Sequence, residues 1–252
     1  MTATDVMHNV VSKEEWLESR KALLSAEKAL TRQRDELSRR RRELPWVRLG
    51  KDYLFDGPAG TETLADLFQG RSQLAIYHFM FGPDWEEGCS GCSFVADHID
   101  GTLAHLAHRD VTLAVVSRAP IDRIEGFRRR MGWQFHWVSS EGSDFNRDFG
   151  VSFAPGQRVG GKVPYNYGRQ EFPRDEAPGL SVFYKNEAGE IFHTYSCYAR
   201  GLEPLVGTYT YLDLVPKGRD EDGLPRPMAW LRHHDRYEDA VAPGCNCGKE
   251  QG

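Results

Sequence analysis

Two cysteines three positions apart are the side chains of this sequence best suited to chemistry. Cys89 and Cys92 lie in PDWEEGCSGCSF (residues 83–94), after an apolar run and before a segment with helical spacing. A thiol at the start of a helix loses its proton more easily, because unpaired backbone N–H groups there favour an anion. The thiolate can attack a disulfide or a peroxide, and a second cysteine one helical turn away can resolve the product. We therefore predict that Cys89 attacks and that Cys92 resolves.

Three acidic residues just before the pair argue for a less reactive thiol. Asp84, Glu86 and Glu87 crowd the approach to Cys89, and negative charge nearby raises the pKa of a thiol. If these carboxylates lie close, we expect Cys89 to be a poorer thiolate and its disulfide to be a weaker oxidant.

A second cysteine pair keeps metal binding open as an alternative. Cys245 and Cys247 lie in PGCNCGK, and the two pairs together could supply four thiolates for tetrahedral zinc. The pairs are far apart in sequence, and the Gly-rich tail offers little to hold the second pair in place. We therefore favour exposed cysteines or an electron relay to the first pair, and we assign no metal. Cys197 is expected to be a small packed residue.

The elements that must position the first pair follow from the pattern of apolar residues. QLAIYHFMF (residues 73–81) is apolar on both faces and predicts a buried central strand, and VTLAVVS (111–117) predicts a second. Two helices, a further strand and a hairpin are predicted at residues 93–108, 120–132, 134–140 and 180–196. This order predicts an α/β, thioredoxin-like (peroxiredoxin-like) fold, a mixed sheet flanked by helices. In that plan the reactive cysteines lie where the first central strand meets its helix.

Supporting residues are predicted from their places in the same plan. A thioredoxin site faces a cis-proline just before the third central strand, and Pro178 is the candidate; the alternative is a trans proline that ends the preceding insert. Arg118, at the end of the second strand, is placed either to steady a thiolate or an anionic substrate, or to lie on the surface. Trp85 is expected to pack beside the cysteines.

Two further polar features lie outside this plan. Residues 153–179 form a long insert rich in Gly, Pro, Tyr and Arg, which we expect to be irregular, with Tyr165 and Tyr167 as candidates to line a substrate groove. His233 and His234 resemble metal ligands. Adjacent side chains point to different faces of a regular element, so a polar surface is the expected role.

A long charged helix is predicted before the sheet. Ser12 and Glu15 form a capping box, and Pro45 ends the helical pattern. Leucines at every seventh position give the helix a narrow apolar seam, formed by Leu23, Leu30, Leu37 and Leu44. Two interpretations stay open, a coiled-coil homodimer through this helix and a helix laid across the chain's own domain. The companion heptad position favours the second, because it holds Ala26, Gln33 and Arg40.

The whole-chain composition is that of a globular protein. Of 252 residues, 40% are hydrophobic and 27% are charged, and the net charge of -5 gives no reason to expect a nucleic-acid partner. No apolar run reaches the length of a membrane span, and we see neither a signal peptide nor a secreted disulfide framework among the five cysteines. We therefore expect a cytoplasmic protein without a membrane partner. Its expected parts are an N-terminal helical extension (1–45), a thioredoxin-like domain (46–215) and a C-terminal extension with the Cys-containing tail (216–252).

Four stretches resemble a known bacterial family. GCSGCSF, MGWQFHWVSSEGSDFNRDFGV, PGLSVFY and FHTYSCYARGLEPLVGTYTYLDLVPKGRDE together look like the thioredoxin-like domain-of-unknown-function family 899, described as predicted dithiol–disulfide oxidoreductases. The resemblance runs from about Lys13 to Tyr237. It implies a thioredoxin-like fold with Cys89 and Cys92 as the redox pair, and it implies no particular substrate.

The cysteine motif departs from the better-known relatives. Thioredoxins carry a tryptophan immediately before the first cysteine and a proline between the two, where this chain has Gly88 and Gly91. Peroxiredoxins place a threonine or serine three residues before the reactive cysteine, where this chain has Glu86. The departures favour a dithiol oxidoreductase over a peroxidase.

These features together predict a thiol–disulfide oxidoreductase that needs no organic cofactor. Its expected partners are a thiol or disulfide substrate and a cellular reductant. The alternative from another functional class is a non-catalytic binding module on a thioredoxin scaffold, with structural or zinc-bound cysteines. In that case the insert and YARGLEPLVGTYTY (residues 198–211) would form the binding groove.

Overall fold

A mixed sheet of eight strands is the centre of the structure, a computed structural model that describes residues 8–237. The strands of the chain are β1 (Val47–Arg48), β2 (Leu54–Gly57), β3 (Gly60–Thr63), β4 (Gln73–His78), β5 (Val111–Ser117), β6 (His136–Ser139), β7 (Lys162–Tyr165), β8 (Gly168–Glu171), β9 (Gly179–Lys185) and β10 (Ile191–Tyr198). The helices are α1 (Lys13–Arg42), α2 (Ser90–Ala96), α3 (Leu103–His108), α4 (Ile121–Arg130), α5 (Phe145–Asp148) and α6 (Gly207–Leu212).

The strand order confirms the predicted thioredoxin-like fold. The sheet runs β1-β10-β9-β4-β5-β6-β2-β3, in which β4, β5 and β6 are parallel and β9 and β10 are antiparallel to their neighbours. Parallel neighbours need crossover connections, and here α2 with α3 joins β4 to β5, while α4 joins β5 to β6. The β9–β10 hairpin then completes the sheet on the other side of β4.

The central strand β4 is buried on both faces because successive side chains point to opposite sides of the sheet. Tyr77 belongs to the larger apolar cluster, which also contains Trp137 and the buried face of α2. Leu74 and Ile76 belong to the second cluster on the other face. The sequence prediction of a buried central strand is therefore confirmed.

The segment after β4 is two short helices rather than one continuous helix. Helix α2 ends at Ala96, a 3-10 turn covers Asp100–Thr102, and α3 follows. The Asp100 carboxylate accepts hydrogen bonds from the backbone N–H groups of Gln134 and Phe135, both at 2.9 Å. Asp and Gly are poor residues for a helix interior, and the two hydrogen bonds of Asp100 hold the turn between the helices against the start of β6.

The insert 153–179 is more ordered than the sequence predicted. Strands β7 and β8 form a two-stranded hairpin within it. Its turn residues Asn166 and Tyr167 both have positive φ, 52° and 62°, as a two-residue hairpin turn requires. The expectation of an irregular insert was wrong at this hairpin, because tyrosine is an unusual residue in this conformation and provided no turn signal.

Helix α1 confirms the predicted long N-terminal helix and its capping box. None of its residues is buried, and Leu23, Leu30 and Leu37 are 48–57% exposed. The interpretation that this helix lies across the chain's own domain was therefore wrong. Near the end of the helix, the Arg41 guanidinium lies 5.6 Å from the ring centroid of Tyr195 on β10.

The segment after α6 returns to the main domain. One Glu221 carboxylate oxygen accepts hydrogen bonds from the Tyr209 hydroxyl, the Met228 backbone N–H and the Trp230 indole, at 3.1, 3.0 and 2.7 Å. Trp230 packs edge-on against Phe94 of α2, with ring centroids 5.6 Å apart.

The domain boundaries at residues 45 and 215 stay a prediction. Within residues 8–237, the structure holds no helix long and apolar enough to cross a membrane.

Candidate redox site

Cys89 and Cys92 lie where β4 leads into α2. The chain after β4 returns to the sheet, and the Cys89 backbone N–H donates to the Met80 carbonyl at 3.0 Å. Cys89 is the N-cap residue of α2, with extended backbone angles, and its carbonyl accepts the first helical hydrogen bond from Ser93 at 2.9 Å. Cys89 is half-buried, whereas Cys92 is only 2% exposed. The strand end thus presents one accessible thiol and one covered thiol.

The surroundings of Cys89 stabilise its thiolate. A hydrogen bond from the Cys92 thiol is the largest cause, and the backbone N–H groups of Cys92 and Gly91 and the charge of Arg174 add to it. Burial acts in the opposite direction, because it disfavours the charged form. The net effect lowers the pKa of Cys89 to about 6.

The surroundings of Cys92 favour its protonated thiol form. Burial, and then the hydrogen bond to Cys89 and its charge, raise the pKa of Cys92 well above the usual thiol value. Its sulfur accepts a hydrogen bond from the Met80 backbone N–H at 3.4 Å. The fully buried Tyr77 hydroxyl also faces this sulfur. The two thiols of the pair therefore differ in both exposure and acidity.

The acidic residues before the pair do not have the effect predicted from the sequence. Glu87 is bound by Arg130 at 2.9 Å and by both terminal nitrogens of Arg236 at 2.9 and 2.8 Å. Burial alone would raise the pKa of Glu87, but these hydrogen bonds outweigh it and lower the pKa. Asp84 and Glu86 are exposed to water, where their charges are screened. The expectation that these acids make Cys89 a poor thiolate was wrong.

Trp85 holds a cation that the sequence prediction missed. The guanidinium of Arg174 lies 4.8 Å from the centroid of the Trp85 ring, within the range of a cation–π contact. Trp85 packs against the same apolar cluster as Cys89, and Arg123 fixes its loop by donating to the Pro83 and Trp85 carbonyls, both at 3.0 Å. The arginine content of the insert was the only weak signal for Arg174.

Arg118 forms an ion pair, and Pro178 has a trans peptide bond. Arg118 donates to Glu176 at 2.8 Å, and Glu176 is buried, so this charge is neutralised within the protein. No cis peptide bond occurs among residues 8–237, so Pro178 is trans, which is the alternative considered above. The Pro178 carbonyl is not free either, because it accepts a hydrogen bond from the Tyr165 hydroxyl at 2.7 Å.

A hollow lies beside strand β10, and its lining does not include Cys89 or Cys92. Its volume is about 820 Å³, and its lining includes Tyr167, His193, Tyr195 and Cys197. Tyr167 therefore lines a hollow, although not beside Cys89, whereas Tyr165 is buried. Cys197 is a half-buried thiol whose pKa burial raises. It is only partly the packed residue that the sequence predicted.

His233 is a buried residue of the site, not the polar surface residue that the sequence predicted. It is 5% exposed, and its Nε2 lies 2.9 Å from the carbonyl oxygen of Gly88, the residue before Cys89. Its ring also packs edge-on against Phe127, with centroids 5.3 Å apart. A pattern of two adjacent histidines carries no information on which one turns inward, so the sequence held no signal for this contact.

The zinc alternative requires thiolates from both cysteine pairs. Within residues 8–237, no group of three or more His, Cys, Asp and Glu side chains is arranged to hold a metal ion. Cys245 and Cys247, which the alternative requires and which we also predicted as a relay, lie outside the described residues.

Comparisons with known proteins place the chain in a family. A search of curated proteins found no match. The crystal structure of peroxidoxin BcpB from Mycobacterium tuberculosis is 11% identical, with a TM-score of 0.44, and the match covers 66% of this chain and 95% of that one. Peroxiredoxin Q from Xanthomonas campestris is 14% identical, with a TM-score of 0.42 and coverage of 62% and 87%. The model of the family described as "Bacterial protein of unknown function (DUF899)" matches residues 5–237, and the chain therefore belongs to this family.

Proposed function

We propose that this protein is a dithiol–disulfide oxidoreductase in which Cys89 attacks and Cys92 resolves. The observation that carries the proposal is the unequal pair at the start of α2. Cys89 is half-buried, and hydrogen bonds lower its pKa, while Cys92, three residues on, is buried, and its pKa is raised. A thiolate that attacks and a protonated thiol held in reserve are the two groups that disulfide exchange needs.

The exchange consists of two displacements. In the first, the Cys89 thiolate attacks one sulfur of a substrate disulfide, forms a mixed disulfide with it and releases the other sulfur as a thiolate. In the second, Cys92 loses its proton to the solvent and attacks the Cys89 sulfur, which releases the second substrate thiolate. The substrate gains two electrons and the protein keeps a Cys89–Cys92 disulfide, which a cellular thiol reductant reduces again.

Cys92 needs help in the second displacement, because a buried thiolate is unfavourable. The Met80 backbone N–H already donates to its sulfur at 3.4 Å, and the buried Tyr77 hydroxyl has no hydrogen-bond partner among residues 8–237. Both groups can stabilise the Cys92 thiolate at the moment when it forms.

We favour a disulfide over a peroxide as the substrate, and we place the reaction in the cytoplasm. Glu86 stands where a peroxiredoxin has its threonine or serine. The three described cysteines are all unpaired thiols, as a reducing compartment requires. The physiological thiol or disulfide substrate and the reductant are the partners of this proposal.

Thiol trapping across a series of glutathione redox ratios tests the proposal. We expect Cys89 and Cys92 to interconvert between dithiol and disulfide in the wild type and in the matched control Cys197→Ser. We expect Cys92→Ser to accumulate a mixed disulfide with glutathione at Cys89. A pair that stays reduced throughout the series, with one zinc ion per chain by elemental analysis, would instead support the binding module.

A further inference from the structure

Two arginines contact Trp85, the aromatic residue of the loop that leads to the cysteine pair. The Arg174 guanidinium lies 4.8 Å from the centroid of the Trp85 ring, and Arg123 donates to the Trp85 carbonyl at 3.0 Å. Both arginines are exposed, and Trp85 is half-buried against the apolar cluster that Cys89 also contacts. Two positive charges are therefore held beside the loop of the attacking thiol.

The charges of these two arginines are not neutralised by the described chain. Within residues 8–237, neither guanidinium lies within ion-pair distance of a carboxylate, whereas Arg118, Arg130 and Arg158 all do. Arg174 donates no hydrogen bond to a described residue, and Arg123 donates only through Nη1. A guanidinium carries five N–H donors in a plane and binds a carboxylate through two of them. Both side chains therefore have donors available for a carboxylate.

The backbone around Arg174 is fixed by a neighbouring arginine. Arg158 donates to the Arg174 carbonyl at 3.0 Å, to the Phe172 carbonyl at 2.6 Å and to the Asp175 carboxylate at 3.0 Å. The Phe172 ring packs against the apolar cluster of the cysteine pair. The charge of Arg174 also contributes to the lowered pKa of Cys89, and exposed charges are screened beyond about 10 Å at 0.1 M salt. The guanidinium is therefore held in place and lies near the Cys89 sulfur.

We propose that Arg174 and Arg123 bind a carboxylate of the substrate, so that the protein selects disulfides that carry a carboxylate near the sulfur. This inference rests on the proposed function, because it names the substrate class of the same cysteine pair. The cation–π contact with Trp85 holds the Arg174 side chain and leaves its N–H donors to the carboxylate. The Cys89 thiolate then attacks one substrate sulfur, the S–S bond breaks, and the other half leaves as a thiolate.

Two exposed acids in the same loop decide how the carboxylate is recognised. Asp84 and Glu86 come directly before and after Trp85, and their charges offset those of the two arginines over long distances. A general positive field therefore does not attract anionic substrates to this loop. The selectivity must come from direct hydrogen bonds to the guanidinium groups, which act only when the carboxylate is bound.

A full-length variant with Cys89 as its single cysteine tests the proposal. It carries Cys92→Ser, Cys197→Ser, Cys245→Ser and Cys247→Ser. The probes are three disulfides of similar size, the anionic dithiodipropionate, the neutral hydroxyethyl disulfide and the cationic cystamine. Mass spectrometry of acid-quenched samples gives the rate constant of mixed-disulfide formation at Cys89 for each probe. The readout is the ratio of the anionic to the neutral rate constant, because a change in the pKa or exposure of Cys89 affects both reactions alike.

Substitution of either arginine should change that ratio. We expect Arg174→Gln to lower it about 5-fold and Arg123→Gln about 2-fold, because each removes charge-assisted hydrogen bonds to the carboxylate. The ratio of the cystamine to the neutral rate constant should rise in both variants, since Asp84 and Glu86 then face less positive charge. Arg32→Gln is the matched control, because it removes the same charge from the exposed helix α1, and it should leave both ratios unchanged.

The outcomes separate this inference from the proposed function. An anionic-to-neutral ratio that is unchanged in Arg174→Gln and Arg123→Gln, while the neutral disulfide still reacts, overturns carboxylate recognition and leaves the proposed function intact. A ratio that falls equally in Arg32→Gln assigns the effect to net charge and also overturns the inference. If Arg174→Gln does not fold, Arg123→Gln decides by the same criterion. Failure of the wild-type pair to form a reversible disulfide in the glutathione series overturns the proposed function, and carboxylate recognition with it.

Discussion

At the scale of single residues, the chemistry of the site comes from two cysteines that differ in exposure and in pKa. Cys89 receives hydrogen bonds from Cys92 and from the start of α2, whereas Cys92 is covered by the core. A lower thiol pKa stabilises the reduced form, and it therefore makes the corresponding disulfide a stronger oxidant. The acidic residues upstream suggested a weak oxidant, but their effect is limited because Arg130 and Arg236 neutralise Glu87.

The first prediction concerns the pH dependence of alkylation at Cys89. We expect the iodoacetamide reaction rate in reduced protein to rise with pH and to reach half its plateau near pH 6, because the pKa of Cys89 is lowered to about 6. Cys92→Ala removes the largest stabilising hydrogen bond, so its midpoint should move up towards the value of about 8.5 for a free thiol. Identical midpoints in the two proteins would contradict this account.

The second prediction follows from the same pKa through its link to stability. The folded pKa of Cys89 lies below its ordinary value of 9.0, so the unfolded state binds the proton more tightly. The stabilisation from this group is therefore full above about pH 9 and is lost as pH falls towards 6. We expect the free energy of unfolding of wild-type reduced protein to rise from pH 6 to pH 9 relative to Cys89→Ala. Parallel pH profiles in urea titrations would reject the idea.

The third prediction explains why a glycine stands where thioredoxins carry tryptophan. A Cβ on Gly88 would lie 2.6 Å from a ring carbon of Phe79 and 2.8 Å from one of Phe127, and both rings are buried. We expect Gly88→Ala to destabilise the protein by about 1–3 kcal/mol, as overpacking does. Gly91→Ala is the matched control, since its nearest neighbour is the Met228 methyl group at 3.5 Å. Equal urea midpoints for the two variants would show that the site tolerates the extra carbon.

At the scale of elements, the hydrophobic pattern predicts what is regular and misses what depends on side-chain contacts. Strands β4 and β5 and helix α4 could be predicted because their apolar residues follow strand and helix periods. The break after α2 could not, because it depends on the Asp100 carboxylate binding backbone groups 34 and 35 residues away. The cysteine pair was readable from the sequence, whereas Arg174 and His233 were not, since the turns that bring them to it carry no periodic signal.

The fourth prediction tests the ion pair that joins β5 to the segment before β9. Arg118 neutralises Glu176, which is 4% exposed. Arg118→Met leaves a buried carboxylate unpaired and should cost about 2–4 kcal/mol in urea unfolding at neutral pH, close to the range for broken buried pairs. Adding Glu176→Gln should recover part of that loss, because no buried charge then remains. A double variant that is no more stable than Arg118→Met would show that the charge is not the cause.

At the scale of the whole molecule, helix α1 and the sheet differ in how they are held. The sheet is covered by two apolar clusters, whereas α1 has 30 residues and no buried side chain. Its leucine seam is therefore exposed in the single chain, and pairing of this seam with a second copy stays a prediction. Seven-residue spacing is the pattern of helices that pack against each other.

The fifth prediction concerns that self-association. We expect light scattering to give the mass of a dimer, and Leu30→Lys with Leu37→Lys to give the mass of a monomer, because the charges lie in the seam. Leu214→Lys is the control, because Leu214 is 77% exposed and lies outside α1. This variant should leave the dimer unchanged. A monomeric wild type would reject pairing through the helix.

The absence of buried side chains in α1 has a consequence for hydrogen exchange. In a single chain, the helix is held by its capping box and by ion pairs such as those of Glu36 with Arg39 and Arg40, which contribute only a few tenths of a kcal/mol each. Its amide hydrogens would then exchange at the rate of helix fraying, while those of β4 and β5 would wait for global unfolding. Pairing of two helices would slow the exchange of the α1 amide hydrogens. Amide protection along α1 therefore reports directly on whether the seam is covered.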